Sequence, residues 1–201
     1  MPSSKAVKFA NKASSTRLAN VISSTYDLPA LPCTVVVCHS NELKKSECSA
    51  IWDIFEVNMR ELYTPSSFGW NPESKRKELF HSLSRFLLVY KTGDSNILAF
   101  VMFRFETDYD EDIIYCYDIH VSSAAQGLGL GKKLLGELVK LCGEYQMERI
   151  FLTVLKANQR AAKLYKSIGF TLDPTSPGYV EEGGSMEDVE DMDYEILSKP
   201  I

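Results

Sequence analysis

The stretch 124-AAQGLGLGKKLLGEL-138 decides how this chain folds around its site, and it directly follows the apolar run 113-IIYCYDIHV-121. The apolar run predicts a strand, and the residues after Gly131 follow a helical pattern. A strand that leads into a helix start exposes unpaired backbone N–H groups and the positive end of the helix dipole. Gly127, Gly129 and Gly131 remove side chains that would keep a ligand away. The turn is therefore predicted to bind a phosphate.

The common nucleotide motifs do not match this turn. A Walker motif needs Gly where Gln126 stands and Ser or Thr where Lys133 stands, and the dinucleotide motif needs Gly at Lys132. What remains is a Gln-x-x-Gly-x-Gly turn from Gln126 to Gly131. By itself this turn is also compatible with a flexible helix entry that binds nothing.

Periodicity around the turn predicts a mixed α/β sheet flanked by helices. The predicted strands are 33–39, 86–91, 97–105, 113–121, 149–155, 169–172 and 193–197. The predicted helices are 40–62 with Ser40 as N-cap, 72–84, the helix after the glycine turn to about 145, and 158–168. The long interval 173–192 is acidic and rich in Gly and Pro, which is typical of a functional loop.

Length and composition fit one globular domain with an appended segment, since the chain has 201 residues, 45% of them hydrophobic and 24% charged. No apolar run reaches the ~18 residues that a membrane helix needs, so we expect no membrane partner. The five cysteines form no C-x-x-C pair, and we expect buried reduced thiols. Metal-ligand spacing is absent, so no metal is expected. We also expect a monomer without direct nucleic acid binding.

Residues 1–26 differ in charge from the rest of the chain. They carry four basic residues and no acid, whereas the remainder holds 18 bases against 27 acids. A mitochondrial transit peptide would look similar. We favour a basic N-terminal helical segment, residues 1–26, packed on the acidic main domain, residues 27–201, because Phe9, Leu18 and Ile22 give it an apolar face.

A second motif stands downstream, in 152-LTVLKANQRAAKLYKSIGF-170. Together with the glycine turn it resembles the GCN5-related N-acetyltransferase (GNAT) superfamily over roughly residues 33–197. In that family a strand ends near an Asn, a helix follows, and a Tyr precedes a Gly-Phe pair; here these are Asn158, Tyr165 and Gly169-Phe170. The resemblance implies the α/β GNAT fold, with a mixed central sheet whose fourth and fifth strands are splayed apart.

The resemblance implies acetyl-CoA as cosubstrate. Its pyrophosphate would lie on the glycine turn, and its pantetheine amides would pair with the backbone of 119–121. The cofactor-binding residues that it implies are Ile119, His120, Val121, Gln126, Gly127, Leu128, Gly129, Leu130, Gly131, Lys132, Asn158 and Tyr165.

Attack of an amine on a thioester needs a neutral amine and a proton for the leaving thiolate. Asp118 is predicted as the general base, directly or through a water; the alternative is a structural carboxylate. Tyr165 resembles the family tyrosine that hydrogen-bonds the departing sulfur; the alternative is a core aromatic. His120 alternates onto the face of Asp118 and is a rival base.

Acidic and aromatic side chains cluster in three segments. These are Tyr63, Phe68 and Trp70; then Glu106, Asp108, Asp110, Glu111 and Asp112; then Glu181, Glu182, Glu187, Asp188, Glu190, Asp191 and Asp193 before Tyr194. Such runs are compatible with a solvated face. Three of them around one expected cleft favour a cationic ligand.

Four stretches, 58-NMRELYTPSSFGW-70, 103-FRFE-106, 114-IYCYDIHV-121 and 193-DYEILSK-199, resemble the NatD group of N-terminal α-acetyltransferases. That group acts on core histones with tails that begin Ser-Gly-Arg-Gly, so the resemblance implies histone tails as partners and a place in the cytoplasm and nucleus. Phe68 stands where the group commonly has Trp. The substrate-binding residues that it implies are Tyr63, Phe68, Trp70, Glu106, Asp108, Tyr115, Tyr117 and Tyr194.

A physical argument agrees with an N-terminal acceptor. A peptide α-amine has a pKa near ~8 against ~10.4 for Lys, so deprotonating Lys costs about 3 kcal/mol more. Two alternatives stay open: a GNAT enzyme that acts on a polyamine or a lysine side chain, and a non-catalytic module that binds histone tails or acyl-CoA.

Overall fold

The computed structural model describes residues 3–28, 31–108, 110–180 and 192–201. Within these ranges the strands form one sheet in the order β1-β2-β3-β4-β5-β6-β8-β7. Their bounds are β1 Thr25–Tyr26, β2 Cys33–His39, β3 Arg85–Lys91, β4 Ile97–Asp108, β5 Glu111–Val121, β6 Arg149–Leu155, β7 Thr171–Leu172 and β8 Tyr194–Pro200. A short strand precedes the first expected one, so the expected fourth and fifth strands are β5 and β6.

Six α-helices flank this sheet in the described ranges. They are α1 Lys5–Asn11, α2 Ser15–Ala19, α3 Lys45–Tyr63, α4 Pro72–Leu79, α5 Leu130–Glu144 and α6 Gln159–Ser167. Strands β5 and β6 pair in parallel, and the other described strand pairs are antiparallel. The predicted mixed α/β sheet with flanking helices is confirmed.

The parallel pair opens into a fork. Ile113–Cys116 of β5 pair with Arg149–Leu152 of β6, and the register pairs end there although both strands continue. The expected splay of these two strands is therefore present, and it exposes the edge of β5 from residue 117 onward. A ligand in the fork can reach unpaired backbone groups on that edge.

Each face of the sheet carries its own core. The first core joins α1, α2, α5 and α6 to one face, with α5 contributing Leu134, Leu138 and Leu141. The second core joins α3 and α4 to the other face, through residues such as Phe55 and Leu79. The sheet is thus the middle of three layers, and the fork opens at the edge of both cores.

A β-bulge in β5 reorganises the side chains at the fork. Phe103 pairs with Cys116 and Met102 pairs with Asp118, so Tyr117 is an extra residue in β5. The insertion interrupts the alternation of faces. Cys116 belongs to the first core, whereas Tyr117 packs on the second core and Asp118 contacts α4. Simple alternation along β5 did not predict this.

Several predicted elements have different bounds in the structure, and the largest differences are in two helices and one acidic segment. The helix expected at 40–62 is a 3-10 turn at Ser40–Glu42 followed by α3, because Glu47 accepts the backbone N–H of Lys44 and starts a new helix there. Ser40 is not an α-helix N-cap, since its hydroxyl donates to the carbonyl of Phe80 at 2.9 Å. The helix expected at 72–84 ends at Leu79. The acidic segment 106–112 belongs mostly to β4 and β5.

The N-terminal segment consists of two short helices and β1 rather than one helix. Ser14 accepts the N–H of Arg17 and so caps α2. Val7 and Leu18 are buried in the first core, while Phe9 is 51% exposed beneath the Arg17 guanidinium, contrary to its expected burial. The hydroxyl of Ser4 donates to Asp112 at 2.5 Å, which attaches α1 to the β4–β5 hairpin.

Across the described part of the chain, every helix falls short of the length or apolarity that a membrane crossing requires. In the same ranges no group of three or more His, Cys, Asp or Glu side chains is placed to hold a metal. The five cysteines are free thiols, and Cys48 is the most accessible of them. The acidic residues predicted to matter between 181 and 191 lie outside the described residues.

Candidate active site

A cavity of about 810 Å³ occupies the fork between β5 and β6. Helices α3 and α4 form one wall, α6 and the end of β6 form another, and the glycine turn closes one end. Asp118 and Tyr165, the two predicted catalytic residues, both line it.

The glycine turn has the geometry of an anion site. Gly127 and Gly129 have φ values of +82°, a left-handed conformation that L side chains rarely adopt. Gly129 is the N-cap of α5, a helix of 15 residues whose first turn holds no acid. The free N–H groups at this helix start therefore face the cavity end with no carboxylate competing for them.

Gly131 lines the cavity and also lies close to α6. A Cβ at this position would lie 3.2 Å from Cδ2 of Leu164, a tight contact. The absence of a side chain here therefore also favours close packing of α5 and α6. At Gly127 and Gly129 an added Cβ would meet nothing within 4 Å, so there the conformation itself calls for glycine.

The end of β5 is tied to the turn by side-chain amides. Asn58 Nδ2 and Gln126 Nε2 both donate to the carbonyl of Val121, at 3.1 and 3.2 Å. Arg160 Nη1 donates in turn to Gln126 Oε1. The carbonyl of Val121 thus already accepts two hydrogen bonds, and the backbone left open for the expected pantetheine pairing lies at 117–120. Sequence reasoning did not identify Asn58 or Arg160.

Asp118 is the most buried carboxylate of the site, with 4% of its surface exposed. Its Oδ1 lies 3.3 Å from His120 Nε2, and its Oδ2 lies 3.0 Å from Lys75 Nζ. The lysine contact is an ion pair without hydrogen-bond alignment, so among the described residues no donor hydrogen-bonds Oδ2. A buried carboxylate oxygen in this state has capacity to accept a proton donor from a ligand.

The charge state of this pair follows from its surroundings. Burial alone would raise the pKa of Asp118, but Lys75 and His120 together hold it below its ordinary value. Burial alone would lower the pKa of Lys75, but Asp118, Tyr63 and Glu78 raise it above its ordinary value. Asp118 is therefore a carboxylate and Lys75 an ammonium throughout the neutral range.

His120 shares the face of Asp118, as expected from alternation beyond the bulge. Its ring packs edge-on against Phe55 at 5.4 Å and at a tilt against Phe100 at 5.3 Å. It is buried, and its Nε2 points at the carboxylate. This environment favours orientation of Asp118 by His120.

Tyr165 reaches the cavity from α6. It packs against Phe170 at 5.9 Å, and burial, followed by the nearby Cys116, Asp118 and Tyr63, raises its pKa. The phenol therefore stays protonated at neutral pH and can donate a hydrogen bond into the fork. Asn158 also lines the cavity, but its side-chain oxygen caps α6 by accepting the N–H of Ala161 at 3.2 Å.

Aromatic rings form the wall opposite the glycine turn. Trp70 stacks on Phe55 at 6.0 Å, and Tyr63 packs edge-on against Phe68 at 5.8 Å. Phe68 packs in turn against Tyr194 at 5.1 Å. The loop that carries this wall is fixed to the start of β8 because Asp193 accepts the N–H of Ser67 at 2.7 Å and also its hydroxyl.

The bulged part of β5 adds two more rings. Tyr115 and Tyr117 lie 4.7 Å apart, and the Tyr115 hydroxyl bonds Thr153 at 2.6 Å across the fork. The Tyr117 hydroxyl donates to Glu106 at 3.0 Å. Burial raises the pKa of Glu106, although Tyr117 and the Arg104 guanidinium act in the opposite direction.

Most of the predicted site residues line the cavity, and four do not. Leu128 is exposed on the turn, Glu106 lies behind Tyr117, Asp108 ends β4 at the hairpin, and Tyr194 lies behind Phe68. These four residues therefore contact the cavity residues or flank the site, in the state described, without lining it.

The residue that sequence reasoning missed with most effect is Lys75. It lies on α4, within the charged stretch 72-PESKRKEL-79, where nothing in the pattern separates it from its exposed neighbours. Its burial follows from the docking of α4 over the fork, which is a tertiary feature. The cavity also includes Glu78, the second ion-pair partner of Lys75.

These features fit acetyl-CoA, the cosubstrate expected from the sequence. The helix start with its left-handed glycines suits a diphosphate, and the open edge of β5 suits an extended arm with amide groups. Tyr165 and Asp118 lie at the junction of the fork where the arm would end. The residues that would hold the cofactor are thus the turn 126–132, the edge 117–120 and Tyr165.

The curated proteins that match part of the chain include two acetyltransferases of stated activity. Spermine/spermidine N(1)-acetyltransferase of Bacillus subtilis is 33% identical over 87 residues, which are 41% of this chain and 56% of that protein. N-alpha-acetyltransferase 40 of Saccharomyces cerevisiae is 35% identical over 74 residues, which are 32% of this chain and 25% of that protein. The matches thus span about half or less of the length of these relatives.

Solved structures share the fold over most of the chain. Arabidopsis thaliana Naa50, in complex with the bisubstrate analogue CoA-Ac-MVNAL, superposes with a TM-score of 0.55 at 19% identity, covering 83% of this chain and 99% of that one. The NatC complex bound to Gag peptide and CoA gives a TM-score of 0.58 at 16% identity, covering 83% and 98%. At these identities the likeness establishes the fold.

The family model described as "Acetyltransferase (GNAT) family" matches residues 51–170, which is more than half of the chain. The matched range holds the fork, the glycine turn, Asp118 and Tyr165. Enzymes of this family use acetyl-CoA, and the predicted cofactor is confirmed. The chain belongs to the acetyltransferase (GNAT) family.

Proposed function

We propose that the protein transfers the acetyl group of acetyl-CoA to the free N-terminal α-amine of histone tails that begin Ser-Gly-Arg-Gly, in the cytoplasm and nucleus. The partial likeness to a yeast N-alpha-acetyltransferase supports the reaction type. The acceptor is argued below from the cavity.

The observation that carries the proposal is the buried Asp118–Lys75 ion pair beside the fork, with Nζ and Oδ2 3.0 Å apart. The lysine charge makes Asp118 a weak base, because it holds the pKa of the carboxyl low. A weak base suits an amine that loses its proton easily. A peptide α-amine with a pKa near ~8 meets this need better than a lysine amine near ~10.4.

The aromatic wall supports a small N-terminal residue. Tyr63, Trp70 and Tyr117 border the acceptor side of the cavity, opposite the glycine turn. A slot walled by aromatic rings suits an extended backbone with short side chains better than one with bulky side chains. A Ser-Gly start fits such a slot because glycine adds no side chain where the chain passes between rings.

The residues divide the chemical work between them. Bound acetyl-CoA supplies the acetyl group as a thioester. Asp118 Oδ2, which lacks a hydrogen-bond donor among the described residues, accepts a proton from the acceptor amine, directly or through one water. As the N–C bond forms, the C–S bond of the thioester breaks and CoA leaves as a thiolate. Tyr165 stays protonated and donates a hydrogen bond to that sulfur.

The third residue of the tail, Arg, would meet the acidic side of the β4–β5 hairpin. Glu106 accepts from the Tyr117 hydroxyl at 3.0 Å, and Asp108 follows it on β4. An arginine can bind two carboxylate oxygens at once, which adds charge-assisted hydrogen bonds. Histone tails are thus the partner to which the charge of this rim is suited.

The second candidate is acetylation of a polyamine. The match to a Bacillus spermine/spermidine acetyltransferase favours it, and so does the acidity of the rim. Against it stands the lowered pKa of Asp118, because the amines of a polyamine hold their protons about as tightly as a lysine amine with a pKa near ~10.4.

The experiment offers three acceptors to the protein with acetyl-CoA: the peptide SGRGKGG, its N-terminally acetylated form, and spermidine. Free CoA is followed over time, and tandem mass spectrometry locates the acetyl group on each product. We expect transfer to the α-amine of the free peptide and little transfer to the other two. Modification of the blocked peptide or a preference for spermidine would overturn the assignment, and a complete lack of transfer would favour a binding module.

A further inference from the structure

Lys75 is a buried cation that the reaction described above does not use directly. Its side chain is 14% exposed, and its Nζ lies 3.0 Å from Asp118 Oδ2 and forms an ion pair with Glu78. The same ammonium lies 5.2 Å from the centre of the Phe55 ring and 6.0 Å from that of Tyr63. A lysine held from four sides in this way has a fixed position.

We propose that Lys75 is a positioning and specificity-determining residue, whose fixed positive charge keeps the neighbouring Asp118 ionised and disfavours acceptors that enter the cavity protonated. This inference rests on the proposed function, because it assumes that Asp118 receives the proton of the acceptor amine.

Apart from His120, the other titratable groups around Asp118 carry no charge that could replace that of Lys75. The titratable groups that face Asp118 are Tyr63 from α3, Lys75 from α4, Cys116 and His120 from β5, and Tyr165 from α6. Burial raises the pKa of Tyr63 to about 12, and it also raises the pKa values of Cys116 and Tyr165. These three groups are therefore neutral at neutral pH.

Glu78 reinforces the position of Lys75 rather than that of Asp118. Its side chain is 40% exposed and lines the mouth of the cavity. It offers the lysine a second carboxylate, so the ammonium can stay in place when a ligand approaches Asp118. Lys75 thus acts as a permanent charge of the site.

A permanent charge discriminates between acceptors by their own charge. Repulsion between two cations is strong in a partly desolvated site and weakly screened by salt. A peptide whose α-amine has lost its proton brings no charge to Asp118. The reacting amine of a polyamine resembles a lysine amine with a pKa near ~10.4, so at neutral pH it arrives mostly as a cation beside Lys75.

The test compares Lys75→Met with the wild-type enzyme in a pH series of kcat/KM on SGRGKGG. In the wild type Asp118 stays ionised, so log kcat/KM falls on the acid side with a slope of about one as the acceptor is protonated. Without Lys75 the pKa of the buried Asp118 rises. The reaction then needs Asp118 to lose its proton as well as the acceptor amine, within the pH range of the series. We expect the acid slope to become about two.

Selectivity gives a second readout that a merely structural role would not move. In Lys75→Met we expect the kcat/KM ratio of spermidine to SGRGKGG to rise by at least ~10-fold over wild type. Lys75→Arg, which keeps the charge, should retain the wild-type slope and ratio. Lys77→Met is the matched control, because Lys77 lies on the same helix in an exposed pair with Glu73.

Folding is checked by thermal unfolding and by the calorimetric affinity for CoA. If Lys75→Met does not fold, Lys75→Gln replaces it, since Gln is uncharged but keeps a polar end at this position, and the same changes are expected. An acid slope of one and an unchanged ratio in the folded neutral variant would overturn the role of Lys75. A wild-type enzyme that acetylates only spermidine or the blocked peptide contradicts the proposed function instead. The acid-side slopes of log kcat/KM of wild type and Lys75→Met, measured with that acceptor, then still test whether Lys75 keeps Asp118 ionised.

Discussion

Replacing Asp118 by Asn removes a buried negative charge while the side chain keeps its size. In the structure this carboxylate is 4% exposed, lies 3.0 Å from Lys75 Nζ and lies 3.3 Å from His120 Nε2. An amide cannot accept the amine proton at Oδ2, and it leaves Lys75 with one carboxylate partner fewer. The substitution therefore affects both the reaction and the stability of the fold.

The two effects can be estimated separately. Losing a positioned general base lowers kcat by ~10²-fold or more, which is about 2.7 kcal/mol of activation free energy. Removing one partner of a buried ion pair costs about 3–5 kcal/mol of unfolding free energy. Glu78 still pairs with Lys75, so we expect a smaller loss of about 2 kcal/mol. For a domain of this size that lowers Tm by about 4–8 °C.

The assay measures kcat at saturating acetyl-CoA and SGRGKGG, the affinity for CoA by calorimetry, and Tm by scanning calorimetry. Asp53→Asn is the control, since Asp53 is an exposed carboxylate on α3. We expect the control to match the wild type in all three, and Asp118→Asn to keep the CoA affinity while kcat and Tm fall. A kcat within about threefold of wild type would remove Asp118 from the mechanism.

Three further predictions concern the turn, the pH dependence and the rim. Gly129→Ala should weaken CoA binding and lower the unfolding free energy by about 1–2 kcal/mol, because its φ of +82° is costly with a side chain. The control Gly136→Ala, within α5, should bind CoA as the wild type does. If Gly129→Ala also bound CoA with wild-type affinity, the turn would be rejected as the cofactor site. The pKa of Asp118 is lower in the folded protein than its ordinary value of about 3.9 in the unfolded chain. The Asp118 carboxylate therefore stabilises the fold fully above about pH 3.9, and this stabilisation is lost as the pH falls through the folded pKa. The Tm difference between wild type and Asp118→Asn should thus shrink as the pH is lowered below about 4, and a constant difference would contradict this. Asp108→Lys should raise KM for SGRGKGG but leave KM for SGAGKGG unchanged. An equal effect on both peptides would mean that the acidic hairpin does not bind the substrate Arg.

Local signals were sufficient for most of the fold. The strands at Cys33–His39 and Arg149–Leu155 lie where apolar runs predicted them, because strands of the sheet bury one face, as in Cys33–His39, or most of both faces, as in Arg149–Leu155. The glycine turn was predicted from spacing alone, since a left-handed N-cap such as Gly129 demands a particular residue type. The starts of the helices were predicted less well. Glu42 accepts the backbone N–H of His39 and Glu47 accepts that of Lys44, so each begins a separate helical segment, whereas the sequence pattern indicated a single start at Ser40.

The parts of the site that were missed depend on tertiary contacts. The bulge at Tyr117 is a register shift between β4 and β5, and a single strand carries no sign of it. Lys75 is largely buried because α4 covers the fork, and the tight approach of Leu164 to Gly131 comes from the packing of α6 on α5. Such contacts arise between segments distant in sequence, so periodicity within one segment cannot reveal them.

The most direct test of the account is a crystal structure of the protein with CoA and the peptide SGRGKGG. We predict that the diphosphate lies within about 3 Å of backbone N–H groups of the turn 126–131. We also predict that the peptide's terminal nitrogen reaches Asp118 Oδ2 directly or through one water, between the rings of Tyr63 and Tyr117. A cofactor bound away from this turn, or a terminal nitrogen remote from Asp118, would contradict the account.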